Sequence, residues 1–198
     1  SSDVCSSDLR FVSQIPSGFY LAKDLIRLFF TQEALKKETG APQGTEVKTI
    51  KEAAVIGAGT MGSALGWLFA DHNILTRLKD ISWELVGKGI AAARAQFLKG
   101  LKARKLTSCQ FDRRFQNLSG TVDYSGFQQA DLIVEAATEN LELKRKIFAE
   151  VEAVVKRDAI IASNTSSLTI DAMAESLRYP DRFVGMHFFN PVAKMPLV

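Results

Sequence analysis

Ala53-Ala54-Val55-Ile56-Gly57-Ala58-Gly59-Thr60-Met61-Gly62 is the stretch on which the reading of the fold turns. Its first four residues form an unbroken apolar run, as a parallel strand covered on both faces requires. The next six spell G-x-G-x-x-G, and an apolar helical pattern continues through Leu65, Leu68 and Phe69. Alone, that glycine pattern is weak evidence. Between a buried strand and a helix it is the fingerprint of a dinucleotide-binding turn. Gly57 is expected to take the tight turn, Gly59 to let the backbone approach a pyrophosphate, and Gly62 to let the helix lie close on the sheet. Thr60 and Met61 open that helix, whose free N–H groups and positive dipole end are expected to meet the phosphates.

Working outward, a second strand, Leu75 to Lys79, ends at Asp80, 23 residues after Gly57. A carboxylate there accepts hydrogen bonds from ribose hydroxyls and repels a 2′-phosphate. Ile81 and Ser82 supply no compensating arginine, so the expected cofactor is NAD and not NADP. A long helix follows, with Trp83, Val86, Ile90, Ala93, Phe97 and Leu101 at the three-four spacing of one buried face. After a polar stretch comes a strand over Asp131–Ala136. Its helix carries Leu141, Ile147, Phe148, Val151 and Val155. Further strands are expected over Ala159–Ala162 and Phe183–Met186. This alternation predicts an α/β fold with a doubly wound (Rossmann) parallel sheet.

Upstream, residues Phe19 to Lys37 read as one helix, with Leu21, Leu25 and Phe29 recurring four apart before Gly40, Pro42 and Gly44 break the chain. Residues 10–50 therefore read as a linker carrying one helix, and residues 51–198 as the dinucleotide-binding domain. The first nine residues repeat Ser-Ser-Asp and resemble a translated sequencing adapter, so they are set aside.

The 198 residues, 46% of them hydrophobic, suffice for one full core and part of a second. No apolar run approaches the roughly 18 residues that span a bilayer, and no signal peptide is evident. Cys5 and Cys109 make neither a disulfide framework nor a metal site, which suits a reducing interior compartment. The net charge of +3 becomes 25 basic against 20 acidic residues once Asp3 and Asp8 are left out. That balance is too mild to suggest nucleic acid, yet suits a ligand with several phosphates.

There are two histidines. His72 falls between a helix and a strand, where a surface role is expected. His187 stands at the carboxyl end of the last strand, the edge where open parallel sheets bind ligands. A neutral imidazole there could take a proton from a secondary alcohol. A buried structural histidine fits the same position equally well.

Three further motifs bear on that choice: Glu135-Ala136-Ala137-Thr138-Glu139-Asn140-Leu141, Ser163-Asn164-Thr165-Ser166-Ser167 and Gly185-Met186-His187-Phe188-Phe189-Asn190-Pro191. In order and spacing, from about Ala53 to Val198, they resemble the L-3-hydroxyacyl-CoA dehydrogenase family. The resemblance implies NAD-dependent oxidation of a (S)-3-hydroxyacyl-CoA to a 3-ketoacyl-CoA in fatty-acid β-oxidation. It matches His187 to the catalytic base, Ser166 to the serine that hydrogen-bonds the substrate oxygen and nicotinamide region, and Asn190 to the asparagine beside them. Glu139 and Lys144 match residues that contact the cofactor.

The same resemblance places a glutamate that orients the imidazole at position 199, one residue beyond Val198, and an all-helical substrate-covering domain after it. Met195-Pro196-Leu197-Val198 reads as a strand cut mid-element. The expectation is therefore a fragment that binds NAD with little activity alone. Leu25 to Lys37 resembles the connector of bacterial multifunctional fatty-acid oxidation proteins. That implies a hydratase domain upstream, an oligomeric parent with a thiolase subunit as a candidate partner, and a bacterial cytoplasmic location. The basic residues Lys88, Arg94, Lys99, Lys102, Arg104 and Lys105 read as a solvated helix face. The rival class is a non-catalytic NAD-binding or structural protein on the same scaffold.

Overall fold

The structure is a computed structural model and describes residues 17–35, 42, 44–195 and 198. It divides into two units, Ser1–Lys48 and Thr49–Val198. In the first, α1 spans Ser17–Leu35, and Leu25, Ile26, Leu28, Phe29 and Phe30 are all exposed. No described helix is long and apolar enough to cross a membrane.

The second unit runs β1 (Glu52–Ile56), α2 (Thr60–Asp71), β2 (Leu75–Lys79), α3 (Trp83–Lys102), α4 (Ser108–Phe115), β3 (Leu118–Thr121), β4 (Leu132–Glu135), α5 (Leu141–Val154), β5 (Ile160–Ser163), α6 (Ile170–Ala174) and β6 (Phe183–Gly185). The six strands form one parallel sheet in the order β3-β2-β1-β4-β5-β6. Strand order reverses between β1 and β4, which opens a crevice beyond their carboxyl ends.

Side chains alternate across the strands, so each face of the sheet has its own core. Val55, Leu78, Val134 and Ala162 meet Leu65, Phe69 and Phe97 on one side. Ala54, Ile56, Ile133 and Ile161 meet Phe148, Val151 and Met173 on the other. Short polar caps start the helices: Ser82 accepts from Leu85 N–H before α3, and Asn140 from Leu143 N–H before α5. Thr107 and Gln110 form a capping box at α4.

At the opposite edge of the sheet Asp131 fastens β4 to β1. Its Oδ2 accepts from the N–H groups of Lys51 and Glu52, while Oδ1 accepts from Lys156 Nζ. Asp131 is thus an anchor, and β4 begins at Leu132.

Three expectations need correction. The stretch between α3 and β4 holds a strand, β3, whose Leu-Ser-Gly-Thr sequence is too short and polar to betray it. On α3, Trp83 is 64% exposed, and Gly89 sits in the buried stripe with Val86, Ala93 and Phe97. A side chain at residue 89 would run into Ala58, so closeness to the glycine turn excluded a bulky residue there. The expected strand over Met195–Val198 falls partly on Pro196 and Leu197, which lie outside the described residues. Met195 and Val198 are not in a strand.

Candidate active site

The glycine turn joins β1 to α2 directly over the crevice. Gly57 has φ of +98°, a left-handed conformation, and its N–H donates to the carbonyl of Lys79 at 2.8 Å. A Cβ on Gly62 would lie 1.6 Å from the Gly57 carbonyl oxygen, so only glycine lets α2 start here. Gly59 differs, because a Cβ there would meet nothing within 4 Å. It would project into open space in front of the α2 N-terminus, where no side chain caps the first N–H groups. That free cradle is the shape and polarity a pyrophosphate needs.

Asp80 follows β2 and is half-buried at the rim. Its Oδ2 accepts from the Ala58 N–H at 2.6 Å and its Oδ1 from the Ile81 N–H at 2.7 Å. The cavity between them measures about 660 Å³ and is lined by Gly57, Gly59, Thr60, Met61 and Asp80, with Ala136 to Thr138 opposite. Its lining also includes a cluster that the sequence did not reveal, Lys79, Tyr124 and Glu150. The Tyr124 hydroxyl donates to Glu150 at 2.8 Å, and Lys79 Nζ lies 4.7 Å from the Tyr124 ring. Burial and then the neighbouring Glu150 carboxylate push the Tyr124 hydroxyl pKa up. The phenol therefore stays protonated.

A second cavity of about 440 Å³ adjoins the first, sharing Met61, Ala136 and Ala137. Glu139, Ser166, His187 and Asn190 all line it, so three widely separated segments come together. His187 is exposed, which removes the buried structural reading, and its ring lies 5.0 Å from that of Phe189. Asn164 holds this turn: its Oδ1 accepts from the Phe188 N–H at 2.9 Å. Glu139 holds the serine loop, accepting from Thr165 Oγ1 at 2.8 Å and from the Ser166 N–H at 3.0 Å. Desolvation opposes the Glu139 charge. The bonds from Ser166 and Thr165, with the Lys144 charge, outweigh it and hold the carboxyl pKa below its usual value.

Lys144 lies elsewhere than the cavity walls. It is 1% exposed, and its Nζ donates to both oxygens of Glu135 at 2.7 Å, with Glu139 Oε2 at 3.7 Å. Glu135 and Asn164 are the polar residues that the sequence reading passed over. A glutamate ending the apolar run Leu132-Ile133-Val134 was the available signal, since a buried charge demands a partner. His72 is exposed, and its Nδ1 bonds the Leu68 carbonyl at the end of α2, a surface role.

Residues 52–198 match the family model for the 3-hydroxyacyl-CoA dehydrogenase NAD-binding domain. The chain is 41% identical over 179 residues to a fatty acid oxidation complex subunit alpha of Pseudomonas aeruginosa, with 90% of this chain and 25% of that protein covered. The corresponding protein of Psychrobacter cryohalolentis is 38% identical over 177 residues, covering 89% of this chain and 24% of that one. The chain thus spans about a quarter of the length of these relatives. Among solved structures, 3-hydroxybutyryl-CoA dehydrogenase from Escherichia coli superposes with a TM-score of 0.72 at 35% identity, covering 75% of this chain and 31% of that one. The (S)-3-hydroxybutyryl-CoA dehydrogenase of Ralstonia eutropha gives 0.71 at 37% identity, covering 74% and 52%.

Proposed function

Because this chain belongs to the 3-hydroxyacyl-CoA dehydrogenase family as its NAD-binding domain, we propose that it holds NAD along the glycine turn for oxidation of a (S)-3-hydroxyacyl-CoA in fatty-acid β-oxidation. The observation that carries this reading is the adjoining pair of cavities. A pyrophosphate cradle leads into a pocket where Ser166, His187 and Asn190 converge. A non-catalytic dinucleotide binder would not need that second constellation.

NAD, when bound, supplies the hydride acceptor. The chain supplies the rest. The Gly57–Gly62 turn and the α2 N-terminus bind the phosphates, and the Asp80 carboxylate takes the ribose hydroxyls. The Ser166 hydroxyl and the Asn190 amide hold the substrate oxygen. The His187 imidazole would accept the hydroxyl proton of the 3-hydroxyacyl group as C3 gives up its hydride to the acceptor, and the two losses together leave a 3-keto group. Met61, Ala136 and Phe188 give this cavity an apolar lining beside its polar groups.

Cofactor binding is the part we assign to these 198 residues alone, with little turnover. Among the described residues no hydrogen bond orients the His187 imidazole, and an unoriented imidazole is a poor base. Oligomeric assembly, a thiolase subunit, a hydratase activity and a bacterial cytoplasmic location belong to the same reading of the longer proteins.

Ternary-complex formation tests the proposal. NADH fluorescence, followed while acetoacetyl-CoA is added to the NADH-loaded chain, should change saturably. His187→Ala should weaken that second binding event and leave NADH binding intact. Ser166→Ala, at a residue matched to the nicotinamide region as well as the substrate oxygen, should weaken both. A substrate effect identical in both variants and the unsubstituted chain would contradict the assignment.

A further inference from the structure

We infer that Glu135 is a positioning residue whose buried carboxylate locks the loops after β4 and β5 together and so sets Ser166 beside the cofactor cleft. Glu135 ends β4 and is fully buried. Its Oε1 accepts from the Ala137 N–H and from Lys144 Nζ, and its Oε2 from Lys144 Nζ and Ser163 Oγ, each at 2.7 Å. Its own carbonyl accepts from the Asn164 N–H at 2.8 Å.

Every one of these partners leads to the site. Ala137 lies in the wall shared by the two cavities. Ser163 and Asn164 begin the loop that carries Ser166. Lys144 extends the brace toward Glu139, whose carboxylate accepts from Thr165 Oγ1 and the Ser166 N–H. One carboxylate thus ties the start of α5, the turn after β4 and the end of β5.

Stability alone does not account for this arrangement. Burying two charges is costly, and a well-packed apolar pair of similar volume is often as stable or more so. What an apolar pair cannot do is fix three hydrogen-bonded elements at defined angles, and a fully satisfied polar network does so. The inference rests on the dehydrogenase reading for what Ser166 does. The loop geometry itself stands apart from it.

The test uses the full chain carrying Glu135→Gln with Lys144→Met, which removes both charges at once and leaves neither stranded. Amide hydrogen exchange is read at Ala137 and Ser166, and at Phe97 in the opposite core as a reference, alongside melting temperature and NAD titration. Exchange at Ala137 and Ser166 should quicken at least about tenfold while Phe97 is unchanged. The NAD Kd should rise roughly tenfold, about 1.4 kcal/mol. Unchanged protection at both loop amides overturns the inference. Should the double variant not fold, Glu135→Asp gives the same readout. It keeps a charge against Lys144 but is too short to reach Ala137 and Ser163 together. If the unsubstituted chain binds no NAD, the cofactor reading fails, and the two loop amides still decide the role of Glu135.

Discussion

The Oδ2 oxygen of Asp80 sits 2.6 Å from the backbone nitrogen of Ala58 and accepts its hydrogen bond. The carboxylate that is to receive the ribose is therefore also a brace for the glycine turn that is to receive the phosphates. Asp80→Ala should act on both. NAD affinity should fall between about tenfold and a hundredfold, one to two charge-assisted hydrogen bonds' worth. NADP affinity should fall less, since the 2′-phosphate escapes a repulsion. Calorimetric titration of both nucleotides checks this, and a parallel loss for the two would show that Asp80 only braces the turn.

Two glycines of the turn are separable by experiment. Gly62→Ala drives a Cβ into the Gly57 carbonyl oxygen and should lower stability by about 1–3 kcal/mol or more. Gly59→Ala meets nothing within 4 Å and should leave the melting temperature within error. It should still abolish NAD binding, because its methyl occupies the pyrophosphate space. Thermal unfolding paired with NAD titration distinguishes a structural glycine from a binding one.

Asp131 makes stability depend on acid. The hydrogen bond from Lys156 first, and those from the Lys51 and Glu52 N–H groups, hold its carboxyl well below the usual range in the folded chain. Its contribution is complete above the unfolded carboxyl value near ~3.9 and drains away as pH falls through the lower folded value. Lys156 is raised by the same bond, so its share is kept until pH climbs past the normal lysine range. Asp131→Asn should cost about 1–2 kcal/mol at neutral pH and flatten the loss below pH ~4. Urea unfolding across that range measures both.

Asn164 should matter to substrate and not to cofactor. Its side chain accepts from the Phe188 N–H, one residue past His187. Asn164→Ala leaves that donor unpaired and frees the turn. Acetoacetyl-CoA binding to the NADH-loaded chain should weaken about tenfold, in line with ~1–2 kcal/mol for a lost buried partner. NAD affinity should stay within about twofold.

Most of the fold was legible because each long strand announced itself locally. Ala53 to Ile56 and Leu132 to Val134 are apolar on both faces, and that is what a strand covered by helices on each side must be. β3 was not legible, since Leu118-Ser119-Gly120-Thr121 pairs on one side only and is selected by its neighbour β2 and by α3 above Gly120. The residues around the site were legible as words, and the structure brings Ser166, His187 and Asn190 to one cavity. The surroundings of Lys144 were not legible, because a match to a cofactor-contacting residue does not say which way a long side chain bends. Glu135 drew it inward. The Tyr124–Glu150–Lys79 cluster depends on three elements meeting, and no local pattern carries that.

Cofactor selection in the unaltered chain tests the central claim most directly. Isothermal titration with NAD and, separately, NADP should give saturable one-to-one binding of NAD and clearly weaker binding of NADP. Equal affinity for the two, or no saturable NAD binding at millimolar nucleotide, would contradict the account.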